Sequence, residues 1–166
     1  MTADAEGVRL REEPYPSQIE LRLDGDAEVP FALPAAGRVT GSGPRFVLWL
    51  GPDWYLVVDS PGTDLEAGLE AELRGGSATA VDVSAARTVL NLAGPHARAV
   101  LEHGCALDLH PRAFGPGRCA QTNLAKAQVL IHQLGPEEYR VFVRSSFADY
   151  LASWLLDAMV EYLGAP

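Results

Sequence analysis

Leu50-Gly51-Pro52-Asp53-Trp54-Tyr55-Leu56-Val57-Val58 decides the fold, because the chain repeats its pattern 84 positions later as Leu134-Gly135-Pro136-Glu137-Glu138-Tyr139-Arg140-Val141-Phe142. Each stretch puts Gly-Pro-acid between two apolar runs, which is turn chemistry flanked by strands. In the first copy the strands are 45–50 and 54–58, and in the second they fall near 128–133 and 139–144. A helix-start pattern follows both hairpins. Thr63-Asp64-Leu65-Glu66 and Ser146-Phe147-Ala148-Asp149 place a hydroxyl residue three positions before a carboxylate, the spacing of a capping box. Hairpin-then-helix units at about 45–73 and 128–156 make an internal repeat. Hairpins with helices on one side argue for an α+β fold of duplicated, ferredoxin-like halves rather than a doubly wound parallel sheet.

Outward from the repeat, Ile19, Leu21 and Leu23 alternate with Glu20 and Arg22, the period of a half-buried strand. Strands are also expected at 79–83 and 87–92, and one starts near 38–40. Gly94-Pro95 is read as opening a short helix, with Pro in its first turn and Gly104 as a left-handed cap. Residues 24–36 and 105–117 are rich in Gly and Pro and read as loops. The first helix is expected to end before Gly75-Gly76. Phe147, Leu151, Trp154, Leu155, Ala158 and Tyr162 share one face of the last helix, which therefore packs on a sheet. Pro14 and Pro16 favour extended backbone, so residues 1–17 are expected to form a loose N-terminal arm. Residues 18–166 then form one domain, a size that buries a sizeable core.

Composition removes several classes of function. The formal charge of −9 and the scatter of the 13 basic residues disfavour nucleic acid as a partner. An acidic surface disfavours an anionic membrane. No apolar run reaches the ~18 residues of a membrane span, and 1–13 has no apolar targeting core. A cytoplasmic protein is the expectation. Cys105 and Cys119 are too few for a disulfide framework and are read as reduced thiols.

The residues that carry chemistry point to no catalytic, cofactor or metal site. His103, Cys105, His110 and Cys119 form the one conceivable zinc set, but they lack the paired short spacings of structural zinc sites. Cys105 or Cys119 with a histidine base would make a nucleophile, helped at Cys119 by Arg118, yet a free cysteine usually serves as a small buried apolar group. No G-x-S-x-G, G-x-G-x-x-G or P-loop pattern occurs. Trp49, Trp54, Tyr55, Phe142 and Trp154 would suit a pterin ring, although core packing explains them more simply. What is left suits an accessory subunit, with Arg118 and Phe114 as candidate anchors of a partner contact.

Further stretches carry a family resemblance. Ile19-Glu20-Leu21-Arg22, Leu48 to Trp54, Val81-Asp82-Val83-Ser84 with Arg87-Thr88, and Leu92-Ala93-Gly94-Pro95 with Ala97 to Leu101 belong to it. So do Gly104-Cys105-Ala106-Leu107-Asp108-Leu109-His110, Gly117-Arg118-Cys119-Ala120-Gln121-Thr122 and Ser145 to Leu151. Together, from Val8 to Asp157, they resemble the gamma subunit of heterotetrameric sarcosine oxidase; Val81 to Leu101 also resembles the folate-binding domain of the glycine-cleavage aminomethyltransferases. The resemblance implies an accessory, non-catalytic subunit of a complex that oxidises sarcosine to glycine and hydrogen peroxide and passes a one-carbon unit to tetrahydrofolate. It implies alpha, beta and delta subunits as partners, and FAD, FMN, NAD, zinc and tetrahydrofolate in those partners rather than in this chain. The alternative is a free-standing folate-binding, one-carbon protein of the aminomethyltransferase type.

Overall fold

A computed structural model describes residues 1–5, 7–24, 27–73 and 77–162. The chain forms two compact units, Met1–Glu13 with Arg87–Pro166 and, between them in sequence, Pro14–Ala86. The described residues hold eleven strands and three α-helices. No helix among them is long and apolar enough to cross a membrane.

The unit of residues 14–86 is built on β3 (Ser17–Asp24), β4 (Val39–Ser42), β5 (Arg45–Gly51), β6 (Trp54–Asp59), α1 (Leu65–Glu72) and β7 (Ser77–Asp82). Its antiparallel sheet has the order β4-β5-β6-β3-β7. Ile19, Leu21, Val47, Tyr55 and Val57 line one face by the period-two rule, and Leu65 and Leu69 of α1 close over them. The helix start differs from the expected one. Asp64, not Thr63, is the cap, its carboxylate accepting the Ala67 N–H at 3.3 Å. The glycines 75–76, and Gly25 in the preceding loop, lie outside the described residues.

The other unit contains β1 (Thr2–Ala5), β2 (Val8–Glu12), β8 (Arg87–Ala93), α2 (Ala97–Glu102), β9 (Cys119–Leu124), β10 (Ala127–Gly135), β11 (Glu138–Arg144) and α3 (Ala148–Ala158). Its sheet runs β1-β2-β8-β11-β10-β9. Leu90, Leu92, Val129, Ile131, Tyr139, Val141 and Val143 face a core completed by Val100 and Leu101 of α2 and Leu151 and Leu155 of α3. The expected arm is here a pair of strands from Thr2 to Glu12. Val8 and Leu10 are buried in the same core, a gain of about 1.5–3 kcal/mol each that a free arm would forgo. Two helix ends also depart from expectation. Pro95 precedes α2, whose cap is His96, and α3 starts behind a tight turn at Ser145–Phe147 with no side-chain cap. Gly104 is not left-handed. It is small because a Cβ there would come within 2.6 Å of the Trp154 ring.

The repeat is present down to its register. Phe46↔Val58, Val47↔Val57, Leu48↔Leu56 and Trp49↔Tyr55, with an irregularity before Gly51↔Trp54, become Leu130↔Phe142, Ile131↔Val141, His132↔Arg140 and Gln133↔Tyr139, with the same irregularity before Gly135↔Glu138. A helix follows each hairpin. The turns differ in one detail: Asp53 sits left-handed at φ 53, a conformation that short polar side chains tolerate, whereas Glu137 does not. Around each hairpin an earlier strand, β3 or β8, pairs with the hairpin's second strand. The strand beyond it comes from opposite ends of the sequence. In one unit it is β7, which follows the helix; in the other it is β2, which precedes the hairpin and its partner strand. The two units thus share one plan with one strand permuted.

Candidate functional site

Strand register assembles a row of polar side chains that spacing alone hides. Cys119 on β9 pairs with His132 on β10, His132 with Arg140 on β11, Arg140 with Asn91 on β8, and Asn91 with Arg11 on β2. These residues alternate with the core-facing ones, so they occupy the sheet face opposite α2 and α3. Glu13, just past β2, joins them: its backbone N–H bonds Val89 O at 2.9 Å and its carboxylate accepts Arg140 Nε at 2.8 Å. Asn91 Nδ2 donates to Glu138 Oε1 at 2.9 Å and to Glu13 Oε1 at 3.4 Å. Asn91 and His132 are buried, and the Glu13 and Arg140 side chains are 10% and 21% exposed.

The electrostatics of this row make it a poor reaction centre. Burial, helped by the positive charge of Arg140, pushes the His132 imidazole down to about 4. Such an imidazole is a weak base near neutral pH, where general-base work wants a pKa close to the operating pH. Cys119, its cross-strand neighbour, is also buried, and the Arg140 charge is paired with Glu13. The side-chain bonds of Asn91, Arg140, Glu138 and Glu13 tie β8, β11 and the chain just past β2 together. His132 is absent from the sequence-based candidates; its position opposite both Cys119 and Arg140 follows from register alone.

The residues singled out from the sequence are occupied otherwise. Among the described residues, no group of three or more His, Cys, Asp or Glu is assembled to hold a metal. His103 Nε2 lies 3.8 Å from Glu161, and His96 stacks on Tyr162 at 4.5 Å between centroids. In the Asp108-Leu109-His110 stretch, Asp108 accepts the His110 N–H at 3.0 Å, His110 Nδ1 accepts the Arg112 N–H at 3.3 Å, and Leu109 is core. Cys105 makes a single antiparallel bridge to Leu124, the last residue of β9.

The aromatic set does not form one platform. Tyr55 and Phe142 are buried, Trp49 and Trp154 pack against cores, and Trp54 lies under the Arg22 guanidinium at 4.0 Å with its Nε1 donating to Glu20 at 3.3 Å. Phe114 is a correction. Proposed from sequence as an anchor of a partner contact, it is 4% exposed and belongs to the core, because the 105–117 loop turns Leu109 and Phe114 inward while its prolines stay at the surface. Arg118 is half-buried and spends its backbone on a turn, N–H to Gly115 O and C=O to Gln133 N.

Two antiparallel sheets with a permuted, duplicated hairpin-helix plan define a class of α+β protein that also includes the glycine cleavage system aminomethyltransferase T from Bartonella henselae, which superposes over 96% of this chain and 48% of its own with a TM-score of 0.68 at 16% identity, a likeness of fold alone. A narrower likeness reaches the sequence itself. The sarcosine oxidase, gamma subunit family matches residues 25–161, and the chain belongs to that family. It is similar to sarcosine oxidase subunit gamma of Arthrobacter sp, 39% identical over 95% of this chain and 83% of the relative. It is equally similar to that of Corynebacterium sp. (strain U-96), 40% identical over 98% and 84%. In structure it resembles a chain of the heterotetrameric sarcosine oxidase from Corynebacterium sp. U-96 in complex with pyrrole 2-carboxylate, with a TM-score of 0.86 and 36% identity over 99% of this chain and 89% of that one.

Proposed function

We infer that the chain is the accessory, non-catalytic subunit of a heterotetrameric sarcosine oxidase. In that complex sarcosine loses its N-methyl group by oxidation, glycine and hydrogen peroxide are released, and the one-carbon unit passes to tetrahydrofolate. FAD, FMN, NAD, zinc and tetrahydrofolate belong to the alpha, beta and delta partners, in the cytoplasm, and this chain contributes a docking surface to them.

One observation carries the reading: the likeness to a chain of a heterotetrameric sarcosine oxidase runs almost the full length of both chains. The site geometry supports the accessory role, since Arg140 is paired with Glu13 and the neighbouring Cys119 and His132 are buried. The test is affinity purification of the tagged chain from its native host. Larger flavin-bearing subunits should be recovered with it in fixed proportion. Recovery of the chain alone, together with tight tetrahydrofolate binding by the isolated chain, would instead establish the free-standing one-carbon protein.

A further inference from the structure

The unit of residues 14–86 ends in an edge strand whose hydrogen-bonding side is open. The ladder polarity is fixed by two bonds. Leu23 N–H donates to Asp53 O at 3.0 Å, so Ile19, Leu21 and Leu23 spend their backbone on β6. Val83 N–H donates to Gln18 O at 2.9 Å, so Gln18, Glu20 and Arg22 bond outward to Val83, Val81 and Thr79. The backbone groups of Ala78, Ala80 and Asp82 therefore point away from the sheet. The Asp82 N–H is taken by Glu66 Oε1 at 3.4 Å, and among the described residues nothing bonds the outward N–H and C=O of Ala78 and Ala80, which form a bare rung.

Natural edges are usually defended by lysine, proline, a bulge or a covering segment. The edge strand β9 is met by the Cys105–Leu124 bridge, and β4 is short with its Thr40 hydroxyl bound to Ala32 O at 2.6 Å. Among the described residues, β7, Ser77-Ala78-Thr79-Ala80-Val81-Asp82, has no lysine, proline, bulge or covering segment at Ala78 and Ala80. It is a regular six-residue strand of small and β-branched residues, with Val81 48% exposed. Acidic groups stand at both of its ends, Asp24 opposite Ser77 at one and Asp82 with Glu66 at the other, while the one cation beside it among the described residues, Arg22 opposite Thr79, lies over the Trp54 ring. The whole chain carries −9.

We propose that β7 is a strand-addition site: an extended segment of another oxidase subunit, small or β-branched at its centre and flanked by Lys or Arg, pairs with the open side of Ala78 and Ala80. This rests on the subunit reading above and names the edge through which docking occurs. Main-chain bonds to Ala78 and Ala80 supply the contact, Val81 and Thr79 take the partner's side chains, and the acidic ends fix its register by attraction to the flanking cations.

Amide hydrogen exchange at single-residue resolution tests it, on the isolated chain and on the chain within the reconstituted complex. In the isolated chain Ala78 and Ala80 exchange at least tenfold faster than Thr79 and Val81; in the complex they slow by at least tenfold. The Ala80→Pro variant, which removes an outward N–H and spares the β3 ladder, lowers affinity for the partner subunits at least tenfold while the circular dichroism of the isolated chain is kept. A complex that assembles normally but leaves Ala78 and Ala80 exchanging as in the isolated chain overturns the strand-addition site while the subunit reading stands. Protection that rises with concentration in the isolated chain overturns it in favour of pairing between two copies. Failure of the chain to assemble with any oxidase subunit, seen by size-exclusion chromatography, overturns the subunit reading and this inference with it. The exchange measurement needs no variant, so a folding defect in Ala80→Pro leaves the test intact.

Discussion

His132 stands directly opposite Arg140 across the β10–β11 ladder, where the other hairpin of the chain has Leu48 opposite Leu56. One copy of the repeat thus holds a titratable group beside a cation at a place where the other holds two leucines. The imidazole is kept neutral down to about 4, against 6.5 for a free histidine, by burial first and by Arg140 second. A histidine with a depressed pKa binds its proton more weakly folded than unfolded. Native stability is therefore full above about pH 6.5 and is lost as the pH falls from there toward about 4. The loss should amount to roughly 3 kcal/mol in all. His132→Leu, which copies the other hairpin, should flatten this slope. Urea midpoints at pH 7.5 and pH 5 measure it, and equal losses in wild type and variant would exclude His132 as the cause.

Arg140 and Glu13 form an ion pair that is buried on the Glu13 side and joined by Asn91. Arg140→Met should leave the carboxylate of Glu13 in a poorly solvated place with only the amide of Asn91. A fully buried pair broken in this way costs about 3–5 kcal/mol; the 21% exposure of Arg140 admits some water, so a loss of about 2 kcal/mol is expected. Glu13→Gln with Arg140→Met should lose less than the sum of the two single changes. Additive losses in chemical denaturation would show that the two side chains do not interact.

Two glycines predict opposite outcomes for the same substitution. Gly104→Ala would drive a methyl group to 2.6 Å from the Trp154 ring and 3.1 Å from the Ala125 nitrogen, so it should destabilise by about 1–3 kcal/mol. Gly68 lies within α1 and nothing stands within 4 Å of its would-be Cβ. Gly68→Ala should stabilise by about 0.5–1 kcal/mol through backbone entropy. Thermal melts of both variants give the comparison, and a neutral Gly104→Ala would mean that Trp154 does not pack as described.

The parts of the fold that were legible in the sequence are those written locally. Gly51 and Gly135 each stand in a turn between apolar runs, and those two turns gave both hairpins and the helices after them. β2 was hidden because Val8 and Leu10 show only one cycle of alternation before Pro14 and Pro16, and their burial depends on pairing with β8, some eighty positions away. The helix caps were misplaced by a single residue because Thr63 and Asp64 both accept N–H groups, and the approach of the chain decides between them. The polar row was illegible for a stronger reason. Cys119, His132, Arg140, Asn91 and Arg11 come from five strands, and a one-residue slip in any register would move its member to the other face. Phe114 misled because a loop rich in Gly and Pro reads as exposed, while Phe114 and Leu109 tie it into the core.

In the function proposed above, this chain acts within an oxidase assembly rather than by chemistry of its own. The most direct measurement is sarcosine-dependent hydrogen peroxide production, with size-exclusion profiles, by the partner subunits expressed with and without the chain. The intact complex should form and turn over only when the chain is present, and Cys119→Ser in the chain should leave turnover per assembled complex unchanged. Full assembly and activity in its absence, or loss of turnover in a Cys119→Ser complex that still assembles, would contradict it.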